Sequence, residues 1–115
     1  MSQILKFEEV GGFQLRPWGG KACIFPSGER KHFRKTGMVQ IPKGSGHLKH
    51  VYEDADEVMY IVSGEGVHSF WDENDVETKY TVKAGDSIYI CKGRFHQTVN
   101  ESEEDLIIYA DNVEA

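Results

Sequence analysis

Short apolar runs recur along the chain, and residues typical of turns separate them. The runs are rich in Val, Ile, Tyr, Phe and Thr, and Gly, Pro, Asn or Asp interrupts them. No window of a dozen residues keeps the i, i+3, i+4, i+7 apolar spacing of a helix without an intervening Gly or Pro. The pattern predicts strands near residues 12–16, 20–25, 36–42, 48–52, 57–63, 66–71, 78–83, 86–91, 95–99 and 105–110.

Short strands in this number, separated by turn signals, indicate an all-β sandwich or barrel. The turn Gly64-Glu65-Gly66 is expected to close a hairpin, because glycine adopts positive φ without strain. The chain has 115 residues, with no internal repeat and no low-complexity linker. This length is typical of one domain, so we expect a single domain over residues 1–115.

Composition narrows the class of protein. Hydrophobic residues make up 39% of the sequence and charged residues 28%, a balance that disfavours a disordered chain. No stretch approaches the roughly 20 apolar residues of a membrane span, and the first ten residues lack the apolar core of a signal peptide. Cys23 and Cys91 stand far apart, so we interpret them as reduced thiols of a cytoplasmic protein, although the fold could still pair them.

The charge balance makes nucleic acid a poor candidate partner. The net charge is −6, and an acidic chain repels the phosphate backbone. We interpret the one basic cluster as a solvated loop, which is the usual role of a charge run. This cluster comprises Lys31, His32, Arg34 and Lys35.

Strand alternation selects among the five histidines. Residues two apart share a face of a strand, so His50 and Tyr52 are expected on one face. His47 lies three residues from His50 and would point to the opposite face of a regular strand. His96 shares its face with the polar residue Thr98.

Glu57 opens the strand that follows His50, and its face also carries Met59 and Ile61. Burying an unpaired carboxylate beside two apolar side chains costs several kcal/mol. Glu57 therefore requires a cation or a proton in the interior of the fold.

Two spaced segments carry a family resemblance. The pattern G-x5-H-x-H-x3,4-E-x6-G is matched here by Gly44-x5-His50-x-Tyr52-x4-Glu57-x6-Gly64. The pattern G-x5-P-x-G-x2-H-x3-N is matched by Gly85-x5-Cys91-x-Gly93-x2-His96-x3-Asn100. Through segments 44–64 and 85–100, the sequence resembles the cupin superfamily. The resemblance implies an antiparallel jelly-roll barrel, also called a double-stranded β-helix, and metal ligation by His50, Glu57 and His96.

The first segment departs from the family pattern at Tyr52, where a histidine is expected. Tyr52 could ligate as a phenolate, donate its hydroxyl to a substrate, or only fill space, and an ordinary pKa of about 10 makes a phenol a poor ligand. His47 is the rival fourth ligand if a β-bulge turns it inward. The remaining two histidines and one carboxylate suit one divalent ion: Mn, Fe, Ni or Zn. The alternative is a cupin barrel that has lost its metal.

The second segment departs at Cys91, where the family has proline. We interpret Cys91 as a small buried residue. A redox role would require a lowered thiol pKa.

The resemblance leaves several functions open. Our first hypothesis is a small metalloenzyme of isomerase or lyase type, acting on a sugar-like or carboxylated metabolite in the barrel lumen, with Tyr52 as acid, base or orienting group. An Fe(II)-dependent dioxygenase is the rival enzyme. A non-catalytic ligand-binding or sensor protein is the third reading, with a pocket lined by Met59, Ile61, Phe70, Trp71 and Phe95.

Two further expectations concern surfaces. Val58, Tyr60 and Val62 alternate with Glu57 and form an apolar stripe, which predicts a homodimer. Arg16, Trp18 and Lys49 are candidates for facing a substrate, but the pattern does not orient them.

Overall fold

The computed structural model describes residues 6–23 and 33–114. A short 3-10 turn at Phe7–Val10 precedes ten β-strands. The strands are β1 Gln14–Arg16, β2 Gly19–Cys23, β3 Phe33–Ile41, β4 Gly46–His50, β5 Ala55–Ser63, β6 Glu65–Trp71, β7 Glu77–Lys83, β8 Ser87–Ile90, β9 His96–Val99 and β10 Leu106–Glu114. Each strand predicted from the sequence corresponds to one of these, so the all-β prediction is confirmed. The last strand differs most, because it continues four residues beyond its predicted end at residue 110.

Two antiparallel sheets face each other. One has the order β1-β2-β3-β10-β5-β8 and the other the order β4-β9-β6-β7. From β3 onward every connection crosses between the sheets except the β6–β7 hairpin. This alternation is the jelly-roll arrangement that the resemblance implies, and it encloses a lumen between the inner faces.

The turn at Gly64 is a corner and not a hairpin, which corrects the prediction. β5 pairs with β10 and β8, whereas β6 pairs with β7 and β9, so the chain changes sheet at this residue. Gly64 has φ +88, and a Cβ there would lie 2.5 Å from the carbonyl oxygen of Asp105. Only glycine combines this backbone conformation with so close an approach of the next layer.

Strand alternation orders the interior as predicted. On β5 the inward-facing Glu57, Met59 and Ile61 are buried, while Val58, Tyr60 and Val62 are 40–46% exposed. Apolar residues, most of them branched and all but Val82 from the six-stranded sheet, fill one part of the lumen. This core consists of Val39, Ile41, Met59, Ile61, Val82, Ile88, Ile90, Leu106, Ile108 and Ala110.

Asn100, the last residue of the second family segment, joins three parts of the chain. Its Nδ2 donates to the carbonyl oxygens of Ile41, at 2.8 Å, and Glu104, at 2.6 Å. Its Oδ1 accepts from the backbone N–H and the hydroxyl of Ser102. These bonds make Asn100 a structural residue that fixes the corner between β9 and β10.

Only part of the expected basic loop lies within the described residues. Lys31 and His32 lie outside the described residues, as do residues 24 and 25 of the second predicted strand. Arg34 and Lys35 belong to β3, so this half of the cluster is in a strand and not in a loop. Within residues 6–23 and 33–114, no helix has the length and apolar character needed to cross a membrane.

The two glycines Gly64 and Gly85 allow the corner to be tested. Both have positive φ, but a Cβ on Gly85 would meet nothing within 4 Å. We expect Gly85→Ala to cost about 1 kcal/mol of unfolding free energy, from backbone strain alone. Gly64→Ala is expected to cost about 3 kcal/mol or more, because the clash with Asp105 adds to the same strain. Urea unfolding of both variants measures the difference, and equal costs would contradict the corner geometry.

Candidate metal centre

Three polar side chains meet inside the barrel. His50 at the end of β4 lies directly opposite His96 on β9, so their side chains share a face of one sheet. Glu57 reaches them from β5 in the facing sheet. One ligand atom of each residue lies within 4.8 Å of the others. The structure thus brings together all three residues that the sequence singled out as metal ligands.

Backbone carbonyls orient both imidazole rings. Nδ1 of His50 lies 2.7 Å from the carbonyl oxygen of Leu48, and Nδ1 of His96 lies 3.2 Å from that of Arg94. A carbonyl accepts only, so each Nδ1 carries the proton and donates it. In the neutral form of either ring, Nε2 therefore presents a lone pair to the interior, as in histidines that bind metal.

The buried acceptor atoms lack a donor. Oε1 of Glu57 and Nε2 of His96 lie 3.1 Å apart, yet neither forms a hydrogen bond with another described residue. The His96 side chain is fully buried and that of Glu57 is 7% exposed. Two such atoms at this distance require a positive charge between them, either a proton, which makes the pair an ion pair, or a metal ion.

The donor set fits one divalent cation. Ligand atoms at about 2.1 Å from a common ion lie at most about 4.2 Å apart. A side-chain movement of about half an ångström therefore closes the observed cluster around an ion. Two imidazole nitrogens and one carboxylate oxygen leave coordination positions open for small molecules.

Burial keeps His50 ready to ligate. Desolvation lowers the pKa of His50, and the neighbouring His96 lowers it further. The hydrogen bond to the Leu48 carbonyl and the charge of Glu57 oppose this shift. Because the net shift is downward from 6.5, the ring is neutral at physiological pH and offers its lone pair.

Tyr52 lines a small cavity together with His50 and Glu57. The residue lies beyond the end of β4, whereas the sequence predicted it within that strand. Its ring centroid is 5.7 Å from that of His50 and 6.3 Å from that of His96. Burial raises the pKa of Tyr52 and the charge of Glu57 raises it further, while a hydrogen bond with the Asn112 side chain lowers it. The phenol is therefore protonated at neutral pH, which suits a hydrogen-bond donor and not a phenolate ligand.

His47 faces inward because of a β-bulge. The pairing of β4 with β9 shifts register between His47 and His50, so the two side chains share a face despite their spacing. The expectation that His47 points away is thus wrong for this strand. Its ring stacks on His50 at 3.9 Å and on Trp18 at 4.6 Å, with 13° between the planes in each pair. His47 lies outside the cluster of three ligand atoms and forms a wall of the cavity with Trp18.

No pattern in the sequence singled out His68, which is 1% exposed inside the lumen. Its ring stacks beside that of His96, with the centroids 5.6 Å apart, and its Nδ1 lies 2.8 Å from the hydroxyl of Thr98. Burial lowers the pKa of His68 to about 3, with smaller contributions from His96 and His50. The available signal was its alternation with Gly66 and Phe70 on the inner face of β6.

Several candidates from the sequence lie elsewhere. Arg16 is exposed. Lys49 lies on the outer surface, where its ammonium contacts the rings of Trp71 and Phe95 and pairs with a carboxylate of the β6–β7 loop. Trp71 and Phe95 therefore do not line the predicted apolar pocket. Cys91 is exposed and free, which corrects its interpretation as a buried residue, because it follows β8 on a surface turn.

The cavity beside His50 and Glu57 is small, with a volume of about 30 Å³. Its walls come from β3, β4, β5 and β10 and from the turn that carries Trp18. The lining residues are Trp18, Gly37, Val39, His47, His50, Tyr52, Glu57, Met59, Ala110 and Asn112. No lysine or arginine is among these lining residues, so the cavity has no fixed side-chain cation.

Comparison with known families identifies the fold. The sequence model described as the cupin domain matches residues 37–110, which include all three clustered side chains. The chain belongs to the cupin family. No curated protein sequence matches it significantly.

Solved structures with the same cupin fold include oxalate-decarboxylase-like proteins. A predicted oxalate decarboxylase from Thermotoga maritima is 26% identical with a TM-score of 0.74, over 84% of this chain and 80% of that one. The Lactobacillus farciminis oxalate decarboxylase formate complex is 18% identical with a TM-score of 0.78, over 89% of this chain but only 30% of that one. The Bacillus subtilis oxalate decarboxylase, which has Mn(II) centres, is 16% identical with a TM-score of 0.76, over 89% of this cupin and 27% of that chain. The last two likenesses show the fold alone.

The histidine cluster predicts an acid-sensitive stability. Because the folded-state pKa of His68 is about 3 and the unfolded value is 6.5, the unfolded chain binds a proton that the folded chain excludes. The stability contributed by neutral His68 is present above pH 6.5 and is lost as pH falls through 3, by about 5 kcal/mol in all. Urea unfolding between pH 4 and 7.5, with chelator present, measures this slope. In His68→Gln, the number of protons taken up on unfolding, which this slope measures, is expected to fall by about one. An unchanged slope would contradict the assignment.

Proposed function

We propose that this cupin is a small metalloenzyme of lyase or isomerase type, with one divalent ion held by His50, Glu57 and His96. The observation that carries the proposal is the pair of buried acceptors, Glu57 Oε1 and His96 Nε2, which face each other without a donor. When bound there, a divalent ion supplies Lewis-acid chemistry to a carbonyl or carboxylate oxygen of a substrate. Mn(II) is our first choice because the Bacillus subtilis neighbour has Mn(II) centres. Fe, Ni and Zn suit the same donors.

The size of the cavity favours a small substrate. About 30 Å³ holds one or two waters, so only a few heavy atoms of a ligand fit beside the ligand residues. A carboxylated metabolite of two to four carbons meets this limit better than a sugar does. The 26% identity to a predicted oxalate decarboxylase from Thermotoga maritima supports the same substrate class, and oxalate is the first compound to assay.

Tyr52 is the group that we assign to proton donation or orientation. Its phenol is protonated, lies beside both histidines and is held by the side chain of Asn112. A donor in this position can bond to a substrate oxygen or to a leaving oxygen at the metal. Glu57 is engaged by the ion in this proposal, so it does not serve as the general base.

A non-catalytic binding protein is the second candidate function. Tyr52 replaces a ligand of the family pattern, and a larger cavity of about 370 Å³ lies elsewhere in the barrel. An Fe(II)-dependent dioxygenase uses the same two histidines and one carboxylate. Metal identification separates these candidates, because the binder needs no ion and the dioxygenase needs iron.

Metal loading tests the proposed function directly. We expect chelated protein to regain about one Mn(II) per chain on dialysis, measured by elemental analysis and by the EPR spectrum of the bound ion. His96→Ala and Glu57→Gln are each expected to weaken Mn(II) affinity by about 100-fold or more, because each removes a ligand. Tyr52→Phe is expected to keep the ion, because the phenol of Tyr52 is not a ligand in this proposal. His68→Gln is the matched histidine control and is also expected to keep the ion.

Metal content far below one per chain after reconstitution with all four candidate ions would overturn the enzyme proposal. Loss of the ion in Tyr52→Phe would instead identify the phenol as the fourth ligand. Consumption of oxalate by the loaded wild type, and its loss in Tyr52→Phe with the metal retained, would support the role of the phenol.

The predicted homodimer is also a proposal. Val58, Tyr60 and Val62 form an exposed stripe on the outer face of β5, and Tyr89 and Tyr109 lie on the paired strands directly beside it. Burying such an apolar patch against a second copy removes it from water. We expect sedimentation at micromolar concentration to show a dimer, with Tyr60→Glu shifting it to monomer. Val76→Glu, on an exposed loop away from the stripe, is the control, and a monomeric wild type would contradict the dimer.

The domain boundaries of 1–115 and the cytoplasmic location remain predictions from the sequence. The exposed free thiol of Cys91 supports a reducing compartment. Cell fractionation is the measurement, and recovery outside the cytoplasm would contradict this location.

A further inference from the structure

A second and larger cavity opens between β7 and β8. These strands are the last members of their sheets, so no described strand pairs with their outer edges. The gap between the two edges leads into the lumen and has a volume of about 370 Å³. This volume is within the usual range for pockets that bind small molecules and is more than ten times that of the metal cavity.

The two cavities are separate and share no lining residue. The larger one is lined by residues of β6, β7 and β8, and the metal cavity by the strands at the other side of the barrel. His96 lies between them, in contact with His50 on one side and His68 on the other. A ligand in the larger cavity therefore occupies its own site.

Aromatic rings form the side of the larger cavity. Tyr80 lies opposite His68 in the β6–β7 register, so its side chain faces the lumen. It is nevertheless 53% exposed, because the cavity opens beside it. Its ring meets that of Phe70 edge to face, with the centroids 6.1 Å apart. Two rings in this arrangement provide a surface for a planar apolar molecule.

His68 forms the inner wall of this cavity and offers one free polar atom. The residue is 1% exposed, and its Nδ1 is engaged by Thr98. Its Nε2 is buried and has no hydrogen-bond partner among the described residues. A buried polar atom of this kind gains most from a ligand that brings a matching hydroxyl or carbonyl group.

The charge around the cavity disfavours an anion. Asp86 is the only charged side chain among the lining residues, and one of its oxygens already accepts the backbone N–H of Lys83 at 2.8 Å. Arg94 lies over the ring of Phe70 at 5.2 Å but does not line the cavity. A carboxylate placed here would face Asp86 without a partner, at a cost in binding free energy.

We propose that the cavity between β7 and β8 is a binding site for a neutral, planar, ring-containing molecule with one hydroxyl or carbonyl group. The ring packs against Phe70 and Tyr80, and the polar group bonds to Nε2 of His68, which a small shift of the cavity wall must expose because this atom is buried. This site is independent of the metal proposal, because none of its lining residues belongs to the His50, Glu57 and His96 cluster. Its preference for a neutral ligand also distinguishes it from the small carboxylate proposed at the metal.

Three probes of matched shape test the proposal on chelated protein: p-cresol, p-xylene and 4-methylbenzoate. We expect p-cresol to shift the backbone amide NMR signals of β6, β7 and β8 in a saturable manner. 4-Methylbenzoate is expected to bind at least about 10-fold more weakly because of Asp86. p-Xylene is also expected to bind several-fold more weakly, because it cannot bond to His68. Saturation at a different surface, or none by any probe at millimolar concentration, would overturn the proposal.

Two variants locate the site. Tyr80→Ala removes an exposed wall and Val82→Phe fills the cavity from within, so each is expected to weaken p-cresol binding by about 10-fold. Phe7→Ala changes an aromatic residue of similar exposure in the N-terminal 3-10 turn, which does not line the cavity, and is expected to leave binding unchanged. If Val82→Phe fails to fold, Tyr80→Ala decides alone. Unchanged affinity in Tyr80→Ala, or tighter binding of 4-methylbenzoate than of p-cresol, would contradict the site as described.

Discussion

The burial of one carboxylate opposite one imidazole nitrogen is the constraint on which the interior of this protein depends. Glu57 sits on an inward position of β5 between aliphatic neighbours, and His96 sits on an inward position of β9 in the facing sheet. Apolar side chains at both positions would extend the core across the whole lumen. The polar pair instead divides the lumen into an aliphatic part and a part lined by histidine, threonine and asparagine. His47, Tyr52 and His68, described above, belong to this second part.

The fold was accessible from the sequence because its signals are local. Alternation along β5 gave both the buried face of Met59 and Ile61 and the exposed face of Val58. The spacing of the two family segments gave the three clustered side chains. The prediction of a hairpin at Gly64 was wrong because glycine has the same positive φ in a hairpin and in a corner. Only long-range strand pairing distinguishes the two.

The parts of the site that the sequence did not give depend on contacts distant along the chain. Trp18, which the pattern named but could not orient, enters the cavity from the β1–β2 turn, far along the chain from His47, on which it stacks. Asn112 was missed because the last strand continues past its predicted end. His68 carries the same period-two signal as its apolar neighbours, so nothing local marked it as one of the polar residues of the lumen. Which histidines face one another is a property of sheet packing and not of strand pattern.

The bulge in β4 has a consequence for how this site tolerates change. Between His47 and His50 the strand holds one residue more than its partner requires, and this extra residue lets two imidazoles share one face and stack. Substitutions of the exposed Leu48 or Lys49 leave this count intact. Removal of either residue would bring His47 and His50 to a spacing of two, which places both on one face of a regular strand without a bulge. The inward direction of both rings therefore survives the loss of one residue from this segment, and what the extra residue adds is outer surface, where Lys49 contacts Trp71 and Phe95.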